Sequence, residues 1–177
     1  WMIEENFSEE RMLAVSRRIV DLNHNVVSSS TFVVPGMLPN HHENFSVYSV
    51  NIGDTIFTTS EPEYDYLGRM CYTKPIETGK ACWVDPFIDF TESRVDHNQA
   101  IATYSVPLRQ ANGRIAGVVA VDLSFSNMAK ILNDVDSLYD NAYYILVGAD
   151  GRYLIHPDST RLFNKTIFTD VDPKMGA

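Results

Sequence analysis

The chain has 177 residues, 45% of them hydrophobic and 21% charged, and a formal net charge of −9. That length holds one domain, or one domain and part of a second, with an ordinary share of core-forming residues. The acidic balance, with no basic cluster larger than Arg17-Arg18, speaks against nucleic acid as a partner.

In chain order, Trp1–Asn6 reads as the tail of an earlier helix. Ser8 is a good N-cap, and Glu9 and Glu10 suit the positive end of a helix dipole. Met12, Val15, Ile19 and Leu22 then fall on one face of a helix that Asn23-His24-Asn25 ends. Val26–Val34 has strand composition and stops at Pro35-Gly36. Met37–Asn44 is a polar loop, and Phe45–Val50 and Thr55–Thr59 read as two further strands. Tyr64–Thr73 predicts a short helix, ended by Pro75 and Gly79. Ala81–Val84 and Phe87–Phe90 are strand-like on either side of Asp85-Pro86, and Thr91–Asn98 is a charged loop.

Two strand–turn–strand signals follow. Ile101–Arg109 and Arg114–Leu123 flank Gln110-Ala111-Asn112-Gly113. Tyr143–Val147 and Arg152–Ile155 flank Gly148-Ala149-Asp150-Gly151. Asn-Gly and Asp-Gly supply residues that tolerate the positive φ of tight hairpin turns. Gly113 and Gly151 lie 38 residues apart, and Ser126–Asn133 between them predicts a helix capped by Ser126. The recurrence suggests a module that begins again after its first copy. Residues 158–177 carry no strong signal, so the second unit is incomplete here or pairs with residues outside the chain.

The longest strongly apolar stretch, Ile115–Val121, falls far short of the ~20 residues a membrane-spanning helix needs. The start at Trp1 shows no basic-then-apolar leader. The expectation is either a cytoplasmic domain or a domain cut from a membrane protein. Cys71 and Cys82 are too few for a disulfide scaffold; a single bridge or two buried free thiols both fit them.

The chemistry-bearing residues cluster in the middle of the chain. Arg69 lies near Tyr64 and Tyr72, and its three-residue spacing from Tyr72 puts both on one helix face. Asp89 ends the segment Asp85–Asp89, and Asp122 closes the apolar run Val118–Val121, an odd place for a carboxylate on packing grounds alone. A guanidinium fork suits a carboxylate, and paired carboxylates suit an ammonium group, so the set could hold both ends of an amino acid. Arg69 paired with Asp89 or Asp122 in a plain salt bridge, or Asp122 capping the following helix, explains the same residues. His41-His42, His97 and His156-Pro157-Asp158 read as solvated loop and turn residues rather than metal ligands. No nucleophile elbow, dinucleotide or phosphate loop, or H-E-x-x-H occurs, so no enzyme, cofactor or metal is expected.

The segment KACWVDPFID at Lys80–Asp89, followed by ATYSVPLRQANGRIAGVVAVDLS at Ala102–Ser124, resembles the double Cache (dCache, PDC-like) extracytoplasmic sensor domains of prokaryotic receptors. YYILVGADGRYLIHPD at Tyr143–Asp158 is similar to the opening of that family's second, membrane-proximal module. The resemblance implies an α+β fold, each module a central antiparallel sheet flanked by helices. It implies a membrane-distal module over residues 1–125 with an N-terminal helix, a connecting helix and linker over 126–140, and part of a second module over 141–177. It also implies a ligand site in the distal module. Tyr64, Arg69, Tyr72, Asp89 and Asp122 fall on the pattern of amino-acid-binding members, while Cys71 replaces an expected Trp and Phe87 an expected Tyr. An amino acid, an amine or another small metabolite all stay open as ligand. The implied protein is a membrane-anchored bacterial receptor with its sensor outside the cytoplasmic membrane, able to form a homodimer through the N-terminal helix. The competing reading is a structural or dimerisation spacer that takes no ligand.

Overall fold

The computed structural model describes residues 8–38, 40–41, 43–53, 55–88, 100–133, 142–162 and 164–170. The elements are α1 (Glu9–Leu22), β1 (Val26–Val33), β2 (Phe45–Ile52), β3 (Thr55–Glu61), α2 (Met70–Thr78), β4 (Cys82–Ile88), β5 (Ala100–Arg109), β6 (Ile115–Ser124), α3 (Phe125–Asn133), β7 (Leu146–Val147) and β8 (Tyr153–Ile155). β1 to β6 form one antiparallel sheet in the order β3-β2-β1-β6-β5-β4. The two central strands, β1 and β6, are therefore far apart in sequence.

The sheet sits between helices, and the alternation of β1 shows how. Val33 packs with Met12 of α1, Phe45 and Val47, whereas its neighbour Phe32 packs with Tyr66, Tyr72 of α2, Val118 and Ala120. Successive side chains of a strand face opposite ways, so α1 and α2 cover opposite faces. α1 lies over β1, β2 and β3, and α2 over β4, β5 and β6. Val118, Val119 and Ala120 are all buried, as a continuous apolar run in a strand covered on both faces requires. Gly117 is forced by packing: a Cβ there would meet the Phe32 carbonyl oxygen at 2.4 Å.

The hairpin at Asn112-Gly113 forms as expected. Gly113 has φ +83, and its N–H donates to the Gln110 carbonyl at 2.8 Å. The Gly148–Gly151 turn also forms, with Gly151 at φ +84, but its strands are shorter than the apolar runs suggest. Tyr143, Tyr144 and Ile145 are exposed and precede β7. Ile155 of β8 packs with Ala102 and Phe125, joining this ribbon to α3 and β5.

Four local expectations change. Ser8 caps α1, its hydroxyl accepting from Arg11 N, but the buried face of α1 is Met12, Ser16 and Val20, and Leu22 is exposed. The small side chain of Ser16 allows close approach to β1, and that contact overrides the wider apolar stripe. The helix expected over Tyr64–Thr73 instead runs from Met70 to Thr78 and contains Pro75. Arg69 becomes its N-cap and Tyr64 lies before it, so Arg69 and Tyr72 are not on one helix face. Gly79, at φ +63, ends the helix, and its N–H bonds the Pro75 carbonyl. Finally, β4 is continuous from Cys82 to Ile88, absorbing Asp85-Pro86 as a register shift between Val84 and Phe87. α3 starts at Phe125, which leaves Ser126 inside the helix rather than at its cap.

Candidate functional site

Asp122 lies in the middle of the sheet. Its cross-strand partners are Ser28 on β1 and Thr103 on β5. Directly opposed residues share a face, so all three project toward the α2 side, as Phe32 and Val118 do. Ser28 Oγ donates to Asp122 Oδ2 at 2.5 Å, and Thr103 Oγ1 donates to Oδ1 at 2.6 Å. Each carboxylate oxygen thus has a hydroxyl donor, and bonds to a charged acceptor are among the shorter and stronger ones. Ser28 and Thr103 are buried and Asp122 is partly exposed. Two hydroxyls thus fix the direction of the carboxylate.

Further along the same face, Tyr64 stacks against Phe32 with ring centroids 6.3 Å apart, and the Arg69 guanidinium lies 6.0 Å from the Tyr64 ring centroid. Arg69 is exposed; its carbonyl accepts the amides of Tyr72 and Thr73 as α2 begins. Tyr72 is buried, edge-on to Phe32 and Tyr66. Burial raises the pKa of both Tyr66 and Tyr72, more than the two amide-level contacts of Tyr66 lower it. The Tyr66 hydroxyl accepts from Phe45 N at 3.1 Å and donates to the Val33 carbonyl.

Cys71 ties this group together electrostatically. It packs against the Phe32–Tyr66–Tyr72 cluster, and its thiol pKa is pushed up to about 11. Burial is the main cause and the negative charge of Asp122 the next; local amides and the Arg69 charge oppose them. The Cys71 thiol thus feels both the Asp122 and the Arg69 charge.

Of the residues expected at the site, Tyr64, Arg69, Tyr72 and Asp122 therefore belong to the α2 side of the sheet. Phe87 lies on β4 opposite Ile101. Asp89, His42 and His97 lie outside the described residues. Both cysteines are free thiols. His41 sits against Phe45 with ring centroids 4.1 Å apart and is 3.6 Å from Glu9, far from Asp122 in the fold. His156 makes the expected turn, its Nδ1 accepting from Asp158 N at 2.9 Å. Ser28 and Thr103 are absent from the sequence-based set. Their one signal was a hydroxyl in an otherwise strand-like run, and only the register gives it meaning.

The family model described as methyl-accepting chemotaxis protein-like, first PDC sensor domain, matches residues 12–130. The methyl-accepting chemotaxis protein PctB of Pseudomonas aeruginosa is 29% identical over 117 residues, which are 65% of this chain and 18% of PctB. The ligand-binding domain of the Pseudomonas aeruginosa chemoreceptor PctC, solved with GABA, superposes with a TM-score of 0.60 at 23% identity, over 89% of this chain and 61% of that one. The periplasmic sensory domain of the Campylobacter jejuni chemoreceptor Tlp1 superposes with a TM-score of 0.61 at 16% identity, over 93% and 62%. The chain thus spans less than a fifth of the curated relative and under two thirds of these solved domains.

Proposed function

Because this chain belongs to the family of methyl-accepting chemotaxis protein-like first PDC sensor domains, we propose that it senses a small cationic or zwitterionic molecule, an amino acid or amine, for a bacterial transmembrane receptor. The observation that carries the reading is Asp122, an acidic side chain at the centre of a covered sheet, oriented by two hydroxyls. A carboxylate so held, and partly open, is suited to an ammonium group. Arg69, at the mouth of the same face, is suited to a ligand carboxylate. Asp89 would add a second acceptor for the ammonium end, and Tyr64, Tyr72 and Phe87 would form apolar walls. PctC, similar in fold, is described with GABA, which carries both an ammonium and a carboxylate.

In this reading the fold is a double Cache arrangement. Residues 1–125 are the membrane-distal module, 126–140 the connection, and 141–177 the start of the membrane-proximal module. The domain stands outside the cytoplasmic membrane on an anchored receptor, and α1 is the element through which two copies pair. Nothing in it does catalysis; ligand energy is spent on shifting the receptor between two conformations.

A thermal-shift screen of the common amino acids, γ-aminobutyrate and simple amines tests this. At a hundredfold excess over Kd, a ligand stabilises by about 2.7 kcal/mol, a shift of several degrees. Asp122→Ala should remove the shift while the protein stays folded, because truncating a partner of a bound charge costs ~2–5 kcal/mol. A panel in which no compound raises the midpoint would favour the spacer reading.

A further inference from the structure

We propose that the dipeptide Ser28-Ser29 is the joint that couples the Asp122 site to helix α1. The proposal rests on the reading of Asp122 as a ligand-binding residue. Consecutive strand residues face opposite ways, and these two use that geometry fully. On the α2 side, Ser28 Oγ donates to Asp122 Oδ2 at 2.5 Å. At the next residue, the Ser29 carbonyl accepts from Ser16 Oγ of α1 at 2.9 Å. Ser16, Ser28 and Ser29 are all buried. Only two hydrogen bonds and one peptide of β1 separate the carboxylate from the helix on the far face.

The seat of α1 also offers a second arrangement. Ser29 Oγ and Thr31 Oγ1 lie buried on the α1 side and make no hydrogen bond among the described residues. An unpartnered buried hydroxyl is costly, so a shift of Ser16 that engaged one would be compensated. The Ser16 contact itself is small and polar, set between the buried Met12 and Val20, so a shift there need move only a hydroxyl. A switch needs two discrete arrangements that both sites bias. An ammonium group arriving at Asp122 competes with the Ser28 hydroxyl for the carboxylate. The displaced Ser28 moves the peptide it shares with Ser29 and, through the Ser29 Cα, the carbonyl on the following peptide that holds Ser16.

Hydrogen exchange of the α1 amides in the chain, measured by mass spectrometry for the unsubstituted protein, Ser16→Ala, Ser28→Ala, Asp122→Asn and the Ser16→Ala/Ser28→Ala double variant, tests the joint. Without ligand, Ser28→Ala and Asp122→Asn should each change exchange over residues 12–20 by roughly fivefold, the effect of one hydrogen bond. Ser28→Ala should not do so once Ser16 is alanine. With a bound amino acid from the screen, the unsubstituted protein should show a change in the same amides, and Ser16→Ala should bind yet lose it. Effects of the Ser16 and Ser28 substitutions that combine independently, or a bound amino acid that leaves α1 exchange unaltered, would overturn the joint. If no amino acid or amine of the screen binds, the reading of Asp122 as a ligand site fails, while the ligand-free comparison still decides whether Ser28 and Ser16 communicate.

Discussion

Thr103 and Asp122 face each other across β5 and β6, and the threonine hydroxyl donates to Asp122 Oδ1 at 2.6 Å. Thr103→Val keeps the shape of the strand and removes the donor. Hydrogen bonds to charged groups contribute about 1.5–3 kcal/mol, so the unliganded protein should lose stability on that scale. Urea titration would measure it as a lower midpoint with an unchanged slope. Affinity for an ammonium-bearing ligand should fall less in Thr103→Val than in Asp122→Ala, because the carboxylate itself is kept.

Arg69 separates ligand classes. Its guanidinium is exposed over Tyr64 and free of core packing, so Arg69→Ala should leave the unfolding midpoint nearly unchanged. Calorimetric titration should show tenfold or greater weakening for γ-aminobutyrate or α-amino acids, and little change for the matching simple amines. Equal weakening of both classes would remove Arg69 from the carboxylate end.

The Cys71 thiol is held neutral, with a pKa of about 11. The reactive species is the thiolate, so alkylation of Cys71 in the folded protein should be far slower than that of a free cysteine at neutral pH, rising only as pH approaches 11. Peptide mapping after timed iodoacetamide exposure reads this directly. The linked stability has a definite sign. The folded pKa lies above the ordinary cysteine value, so the contribution is fully present below pH 9 and is lost as pH rises from about 9 through about 11. Cys71→Ser should flatten that part of the stability profile.

Much of this architecture was readable in the sequence, and the failures have physical causes. The Asn112-Gly113 turn, the apolar run of β6 and the capped start of α1 are local, and each appears where its residues direct. The Asp122 environment is not local. Counting back from the hairpin turn with uniform pairing places Asp122 opposite Ala102, on the wrong face. The register shift between Leu108 and Arg109 moves Thr103 into that position instead. Ser28 is invisible for a stronger reason, since the pairing of β1 with β6 joins segments 94 residues apart at this bond. The misplaced end of α2 reflects Pro75, which reads as a stop but here lies within the helix.

Tyr66 anchors the loop that leads into α2. Its hydroxyl accepts from Phe45 N and donates to the Val33 carbonyl, both in the core. Tyr66→Phe strands those two backbone groups and should destabilise by about 1–3 kcal/mol. Thermal denaturation should show a drop of several degrees. Ligand binding, measured well below the transition, should weaken as well, since the segment carrying Tyr64 and Arg69 loses its tether.

Trp83 makes this chain its own fluorimeter. The indole lies against Tyr104 with ring centroids 4.9 Å apart, while the Trp83 carbonyl is held by Lys74 Nζ of α2 at 2.9 Å. A half-exposed indole has a water-sensitive emission, and a tyrosine at that distance is an efficient energy donor to it. Any repositioning of α2 over Asp122 pulls on the backbone that carries this fluorophore. With Trp1→Phe leaving Trp83 as the emitter, intrinsic emission therefore follows the helix over the site, and Lys74→Met should uncouple the optical signal from ligand occupancy without removing the chromophore.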